Sequence, residues 1–159
     1  MPVEIERKFL VRNDGWRNEA IGQEFVQGYL KQSGDPPTIR IRQIGTSAFL
    51  TIKSQPQGIV RDEYEYPIPV EHAAEMLENL CSHPLIRKVR YEVRVSDDLW
   101  IVDVFSGENA GLVVAEIELR HPDKKFKRPG WLGREVTDDP RYSNSALSAD
   151  PFGRWAMAG

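Results

Sequence analysis

The chain has one cysteine and three histidines in 159 residues. No apolar run approaches the roughly 20 residues that a membrane helix needs. A single cysteine, Cys81, excludes an internal disulfide framework, and its place at the end of a helical-looking run predicts a packed thiol rather than a nucleophile. The start, MPVEIERKFL, lacks a basic segment followed by an apolar one, so no signal peptide is expected. The reading is therefore a cytoplasmic protein with no membrane partner. A net charge of −3 is not that of a basic nucleic-acid domain. Nor is there a basic face interleaved with aromatics, so nucleic acid is not an expected partner. Trp16, Trp131 and Trp155 then read as cover for a core rather than as stacking platforms, and His72, His83 and His121 fall in no motif. There is no repeat and no low-complexity block, and the length suits one domain spanning residues 1–159.

Charge of both signs is abundant: 21 Lys and Arg stand against 24 Asp and Glu. If the two signs segregate in space, the near-balance conceals strong local fields. Strand signals dominate the chain. Strands are expected near 3–12, 24–32, 38–44, 48–54, 60–68, 85–95, 99–105 and 112–121. Between them lie SGDPP (33–37), GTS (45–47), QPQG (55–58), SDD (96–98) and SGENAG (106–111), all rich in turn-forming residues. Short links favour antiparallel neighbours. One helix is predicted over 70–81, where Val70, Ala73, Ala74, Leu77, Leu80 and Cys81 share a face and Pro84 follows the end. The segment RPGWLGREVTDDPRYSNSALS predicts short helices or turns, with Ser143 or Asn144 as a cap, and the tail DPFGRWAMAG is helical or frayed. The fold class is α+β and β-dominated.

Within the strands, charge recurs with period two, which places it on one face. Glu4, Glu6 and Lys8 alternate with Ile5 and Phe9; Arg40 and Arg42 oppose Ile39 and Ile41; Thr51 and Lys53 oppose Leu50 and Ile52. Arg61, Glu63 and Glu65 oppose Tyr64 and Tyr66; Lys88 and Arg90 oppose Val89 and Tyr91; Asp103 opposes Val102 and Val104; Glu116 and Glu118 oppose Ala115, Ile117 and Leu119. Any one of these faces alone reads as the solvated side of a sheet. Seven in series, carrying acids and bases together, suggest something else. Closing the sheet would remove its exposed edges and turn the charged face into the wall of a lumen, with helices covering the apolar outside. Charge inside a barrel is costly unless paired or occupied. Arginines and lysines there fit a polyanion such as a phosphate chain. Carboxylates beside them would repel that anion unless a divalent cation bridged the two, and Mg²⁺ commonly binds one or two carboxylates together with substrate phosphates.

The ordered series Glu4-Ile5-Glu6-Arg7-Lys8 (ExExK), QGYL with Gln27 and Tyr29, RIR with Arg40 and Arg42, TIK with Lys53, RDEYE with Glu63 and Glu65, RKVRY with Lys88 and Arg90, WIVDVFSGENAGLVVAEIEL and GREVTDDPRYSNSAL resembles the CYTH superfamily, or triphosphate tunnel metalloenzymes. The resemblance covers nearly the whole chain and departs at none of the motif charges. It implies an eight-stranded antiparallel closed β-barrel forming a triphosphate tunnel, with a few covering helices. It implies a divalent-metal-dependent triphosphatase using one or two Mg²⁺ or Mn²⁺ ions. The inorganic triphosphatase type, hydrolysing tripolyphosphate, is the best match. Alternatives are a class IV adenylate cyclase, a nucleoside or thiamine triphosphatase, or a polyphosphate-binding module without turnover.

On that resemblance, Glu4, Glu6, Glu116 and Glu118 are the leading metal ligands, with Glu63, Glu65 and Asp103 as further ligands or their supports. Lys8, Arg40, Arg42, Lys53, Lys88 and Arg90 would grip phosphates, with Arg61 and Arg134 as additions. Lys8, Lys53, Tyr29 and Glu63 are the candidate catalytic groups. The expected partner is inorganic triphosphate or a small molecule bearing a triphosphate, and a homodimer is left open.

Overall fold

The computed structural model describes residues 3–17, 20–30 and 36–158. Nine strands form one sheet: β1 (Val3–Val11), β2 (Gly22–Tyr29), β3 (Thr38–Ile44), β4 (Ser47–Lys53), β5 (Val60–Ile68), β6 (Ile86–Val95), β7 (Asp98–Phe105), β8 (Val113–Glu118) and β9 (Leu132–Glu135). Their order is β5-β4-β3-β2-β6-β7-β8-β1-β9, and a further β5–β1 pairing closes the first eight into an antiparallel barrel. Tight turns set the hairpins. At the β3–β4 corner, Gly45 has φ +57°, a left-handed conformation that costs glycine little.

The expected strands are present with ends moved by a few residues. The strand expected over 112–121 ends at Glu118, and that expected over 24–32 is described as far as Tyr29. Residues 31 and 32, and the first part of the SGDPP turn, lie outside the described residues. The helix expected over 70–81 is α1 (Val70–Asn79). β9 corrects the sequence reading, which gave its segment to turns and helices. At four residues, LGRE is too short to show a period, and Gly133 lies where a Cβ would come within 2.9 Å of the Leu10 carbonyl oxygen. What makes it a strand is the free edge of β1, with Phe9 opposite Glu135 and Val11 opposite Leu132. Ser143 is the cap of α2 (Asn144–Ala149), its hydroxyl accepting from the Ala146 amide at 3.2 Å. A last helix, α3, runs Phe152–Ala158.

The apolar outer face of the barrel is covered in three places. Phe9, Trp16, Trp100 and Trp131 belong to one cluster, in which Trp100 meets Phe9 and Trp131 edge-on at 5.6 and 5.7 Å. Tyr142 and Leu147 carry the α2 region onto Ile86, Phe105 and Val114. Ala73, Leu77 and Cys81 bring α1 and its end against Ile41 and Ala48. Gly28 of β2 permits that approach, since a Cβ there would lie 2.9 Å from the Cβ of Cys81. Full burial of side chains such as Leu147 contributes about 1.5–3 kcal/mol each, so the core that holds the barrel lies outside it and the inside is left for charge. Among the described residues, no helix is long and apolar enough to cross a membrane.

Candidate active site

Strand alternation carries the charged residues inward. A cavity of about 200 Å³ inside the barrel is lined by Glu4, Glu6 and Lys8 of β1, Arg40 and Arg42 of β3, Lys53 of β4, Arg61, Glu63 and Glu65 of β5, Arg90 of β6, and Glu116 and Glu118 of β8. Tyr29 lines it too, with Ser143, Asn144 and Ser145 from the start of α2. Several of these ions are almost withdrawn from water: Arg40, Arg42, Lys53 and Glu4 are each less than 10% exposed. Withdrawing an ion from water costs several kcal/mol even after relaxation. Apolar residues of similar size would hold a barrel better, so the charges are there for what they bind.

At present they bind one another. Lys53 donates to both carboxylate oxygens of Glu4 at 3.1 and 3.0 Å, and Arg61 Nε donates to the same carboxylate at 3.0 Å. Burial pushes the Glu4 carboxyl up, but Lys53 and Arg61 outweigh it and hold the group down at about 2. Arg40 reaches Glu65 at 3.4 Å, and Thr51 donates to the same Glu65 oxygen at 3.0 Å. Deeper in the wall, Asp103 takes Lys88 at 2.8 Å and both Arg90 Nε and an Arg90 terminal nitrogen at 2.8 and 2.9 Å. Burial raises Asp103, and the two cations hold it below the ordinary carboxylate range.

The bases also crowd one another. Arg42 is drawn down to about 9 by burial and by the neighbouring Arg40 and Arg90. The Arg42 and Arg90 guanidiniums both stand over the Phe25 ring, at 4.9 and 4.7 Å from its centre. Arg40 Nε is buried without a hydrogen-bond partner. Three guanidiniums, one with an unused donor, make a receptor for an anion with several oxygens.

The acids show the opposite tension. Burial, and then the Glu116 carboxylate beside it, push Glu6 up to about 8. Glu116 is held well below its ordinary value: burial raises it, but Lys8 and a hydrogen bond from Glu6 outweigh that. Of these two neighbouring carboxyls, Glu6 is pushed towards its neutral form and Glu116 towards its charged one. Glu118 stands opposite Glu6 in the β1–β8 register, and Glu116 opposite Lys8. Among the described residues no three acids converge into a finished metal cage. The pair, with Glu118 directly across from Glu6 and two residues along β8 from Glu116, is an all-oxygen donor set of the kind a hard divalent cation takes.

Not every expected residue reaches the cavity. Arg134 is exposed on β9, outside the closed barrel, and lines an outer groove with Glu135–Pro140. Asp103 has no free oxygen facing the lumen, because Lys88 and Arg90 occupy both. Lys88 is fully covered beneath the cavity floor, held by Asp103 and by Asn144 Oδ1 at 3.0 Å. Sequence reasoning took Asn144 only as a possible cap, yet it also accepts from Gln27 at 3.2 Å, and Gln27 in turn accepts from Arg42 at 2.7 Å. In the sequence Thr51 shows only as a wall residue opposite Leu50. Single polar residues of this kind carry no period; the run SNSAL was the available signal.

The cavity opens into a larger chamber of about 640 Å³ that shares Glu4, Glu6, Lys8, Tyr29 and Arg61 with it. That chamber is bounded by Pro56 and Ile59 of the β4–β5 hairpin on one side and by Thr137–Pro140 and α2 on the other.

The sequence pattern of the CYTH domain matches residues 2–149. The chain belongs to the CYTH family. A CYTH relative from Acetivibrio thermocellus, an inorganic triphosphatase, is 47% identical over 152 residues, covering 96% of this chain and 97% of its own. The inorganic triphosphatase of Nitrosomonas europaea is 41% identical over 151 residues, covering 92% and 97%. A crystal structure of an inorganic triphosphatase, 38% identical, superposes with a TM-score of 0.65 over 91% of this chain and 96% of that one. A Bacillus halodurans structure at 16% identity and TM-score 0.61 covers 77% of this chain and shares the CYTH fold alone.

Proposed function

We propose that the protein hydrolyses inorganic triphosphate to pyrophosphate and phosphate inside the barrel, with a divalent cation, Mg²⁺ or Mn²⁺. The observation that carries this reading is the single cavity in which bases from β1, β3, β4, β5 and β6 face acids from β1, β5 and β8, with Arg40 Nε unpartnered. The near full-length identity to two inorganic triphosphatases supports it.

Arg40, Arg42 and Arg90 take the phosphate oxygens, Arg by paired N–H donors that match them. Lys8, Lys53 and Arg61 give up their present carboxylate partners to the incoming anion. Glu6, Glu116 and Glu118 would hold the cation, with Glu4 and Glu63 beside them. When bound, the cation neutralises charge between carboxylate and phosphate and makes a coordinated water more acidic. Water oxygen bonds to the terminal phosphorus, the bridging P–O bond breaks, and pyrophosphate leaves. Lys8 and Lys53 stabilise the charge that grows on the transferring phosphoryl oxygens. Glu63, raised by burial and by its neighbour Glu4, receives the proton from water. The Tyr29 hydroxyl, on the wall common to cavity and chamber, sets the position of the phosphate nearest the mouth.

The chamber also gives room for an organic group on the third phosphate, which keeps nucleoside triphosphates as a slower second substrate class. The deciding experiment is phosphate release from inorganic triphosphate, ATP, thiamine triphosphate and pyrophosphate, each with Mg²⁺, with Mn²⁺ and with chelator, with cyclic AMP measured alongside. Activity on inorganic triphosphate that needs the metal is expected. Cyclic AMP formation without phosphate release from inorganic triphosphate would replace this reading by the cyclase.

A further inference from the structure

The inner wall of β1 carries Glu4, Glu6 and Lys8, but the strand is unevenly supported. On one edge, β8 pairs with it from Glu6 to Leu10. On the other, β5 pairs only from Val3 to Ile5, and β9 takes over at Phe9. Glu6, Arg7 and Lys8 therefore sit at a seam between two partner strands, and Glu6 and Lys8 line the chamber at the mouth.

What fills the seam is not a regular ladder. The Lys8 amide donates to the Thr137 hydroxyl oxygen at 3.0 Å, and the Val136 amide donates to the Lys8 carbonyl at 2.8 Å. Thr137 is itself held: its hydroxyl donates to Glu135 at 2.6 Å. Glu135 in turn receives Arg7 through two bonds, Nε at 2.8 Å and a terminal nitrogen at 2.6 Å. Arg7 is steadied on the outside by the Phe126 ring, 5.0 Å from its guanidinium carbon. The chain of contacts leaves β1 at Arg7, passes through Glu135 and Thr137, and returns to β1 at Lys8. One hydroxyl carries the last side-chain link, beside the Val136 amide on the Lys8 carbonyl.

We propose that Thr137, held by the Arg7–Glu135 pair, is a positioning residue that fixes the backbone of Lys8 across the barrel seam and so sets where its ammonium meets the substrate. This rests on the triphosphatase reading. A bidentate Arg–carboxylate pair is the most geometrically exact ion pair a protein makes, and here it is applied one residue away from a cavity lysine. Thr137 also lines the mouth chamber, so the same bond ties the rim of the mouth to the wall of the tunnel.

The test compares wild type, Thr137→Val and Thr137→Ser. Valine keeps the branched shape and removes the hydroxyl; serine restores the hydroxyl. For inorganic triphosphate with Mg²⁺, Thr137→Val should lose about tenfold or more in kcat with KM nearly unchanged, because small misplacements of a reacting group are costly, and Thr137→Ser should recover most of it. In metal-free protein, hydrogen exchange at the Lys8 amide should speed up about tenfold in Thr137→Val, the loss of one hydrogen bond, while the Arg7 amide on the opposite strand edge keeps its rate. Wild-type kcat in Thr137→Val, or a serine variant as impaired as the valine one, overturns the proposal. If wild type releases no phosphate from triphosphate, the triphosphatase reading falls by itself and the Lys8 exchange rate alone decides the brace: an unchanged rate in Thr137→Val overturns it. If Thr137→Val does not fold, Glu135→Gln, which frees Thr137 from outside, carries the same expectations.

Discussion

Lys53 grips Glu4 through both carboxylate oxygens, at 3.1 and 3.0 Å, across the line where the barrel closes. Each side chain thereby occupies the partner that substrate and metal would otherwise take. In the proposed reaction triphosphate displaces Glu4 from Lys53 and so frees a carboxylate. Lys53→Met should lower kcat/KM for inorganic triphosphate by about tenfold or more, the loss of one charge-assisted contact. It should also cost about 1–3 kcal/mol of stability, because Glu4 and Glu63 both lose the cation they share. Steady-state kinetics and chemical denaturation read the two effects separately.

The acid pair predicts a dependence on metal. Glu116→Gln keeps size and removes the charge that Glu6 and Lys8 share. Turnover should fall about a hundredfold or more, as expected when a charge-stabilising group is lost, while circular dichroism remains that of wild type. Excess chelator should abolish turnover of the unmodified protein. Full activity in chelator would remove the cation from the scheme.

On the proposed reading, the spread of bases over five strands selects for substrate length. Triphosphate fills the receptor, pyrophosphate leaves part of it empty, and ATP must also seat adenosine in the mouth chamber. The expected order of kcat/KM with Mg²⁺ is inorganic triphosphate, ATP, pyrophosphate. Arg42→Ala should reduce the first value most, because Arg42 stands between Arg40 and Arg90 and its loss removes a bidentate donor. A wild-type preference for ATP would move the assignment to a nucleotide-directed enzyme.

Cys81 gives a pH prediction remote from the cavity. Burial raises its thiol from 9.0 to about 11. A folded-state value above the unfolded one means stability that is full below pH 9.0 and is lost as pH rises through about 11. Between those limits the thermal midpoint of wild type should fall more steeply than that of Cys81→Ala. Alkylation at pH 8 should be slow in the native protein and immediate on denaturation. A native thiol that alkylates at the rate of free cysteine contradicts the burial.

Most of the barrel was legible because period-two alternation repeats in strand after strand, and a face bearing acids and bases together makes sense only as a lumen. The inward charges Glu4, Glu6, Lys8, Arg40, Arg42, Lys53 and Arg61 follow from that period alone, and all line the cavity. Alternation gives the face, however, not the depth. Asp103 and Lys88 lie on the correct face but below the floor, covered by each other and by Asn144. Arg134 lies outside the barrel for a different reason: it sits on β9, which pairs with the edge of β1, so its position depends on a distant strand. Asn144 and Thr137 act through single hydrogen bonds, which leave no pattern along the chain.

The closure of the barrel has a consequence for the life of the chain before it is an enzyme. β1 precedes both of its barrel neighbours, β5 and β8, by many residues along the chain. Until β8 follows, the edge of β1 from Glu6 to Leu10 lacks its barrel partner, the state in which strands recruit other chains and aggregate. Glu4, Glu6, Arg7 and Lys8 place charge at four of five successive positions there, which is what keeps a waiting edge soluble. The charges of the first strand would thus serve the nascent chain as well as the folded barrel. Neutralising several of them together should lower the yield of soluble protein well beyond what any loss of folded-state stability accounts for.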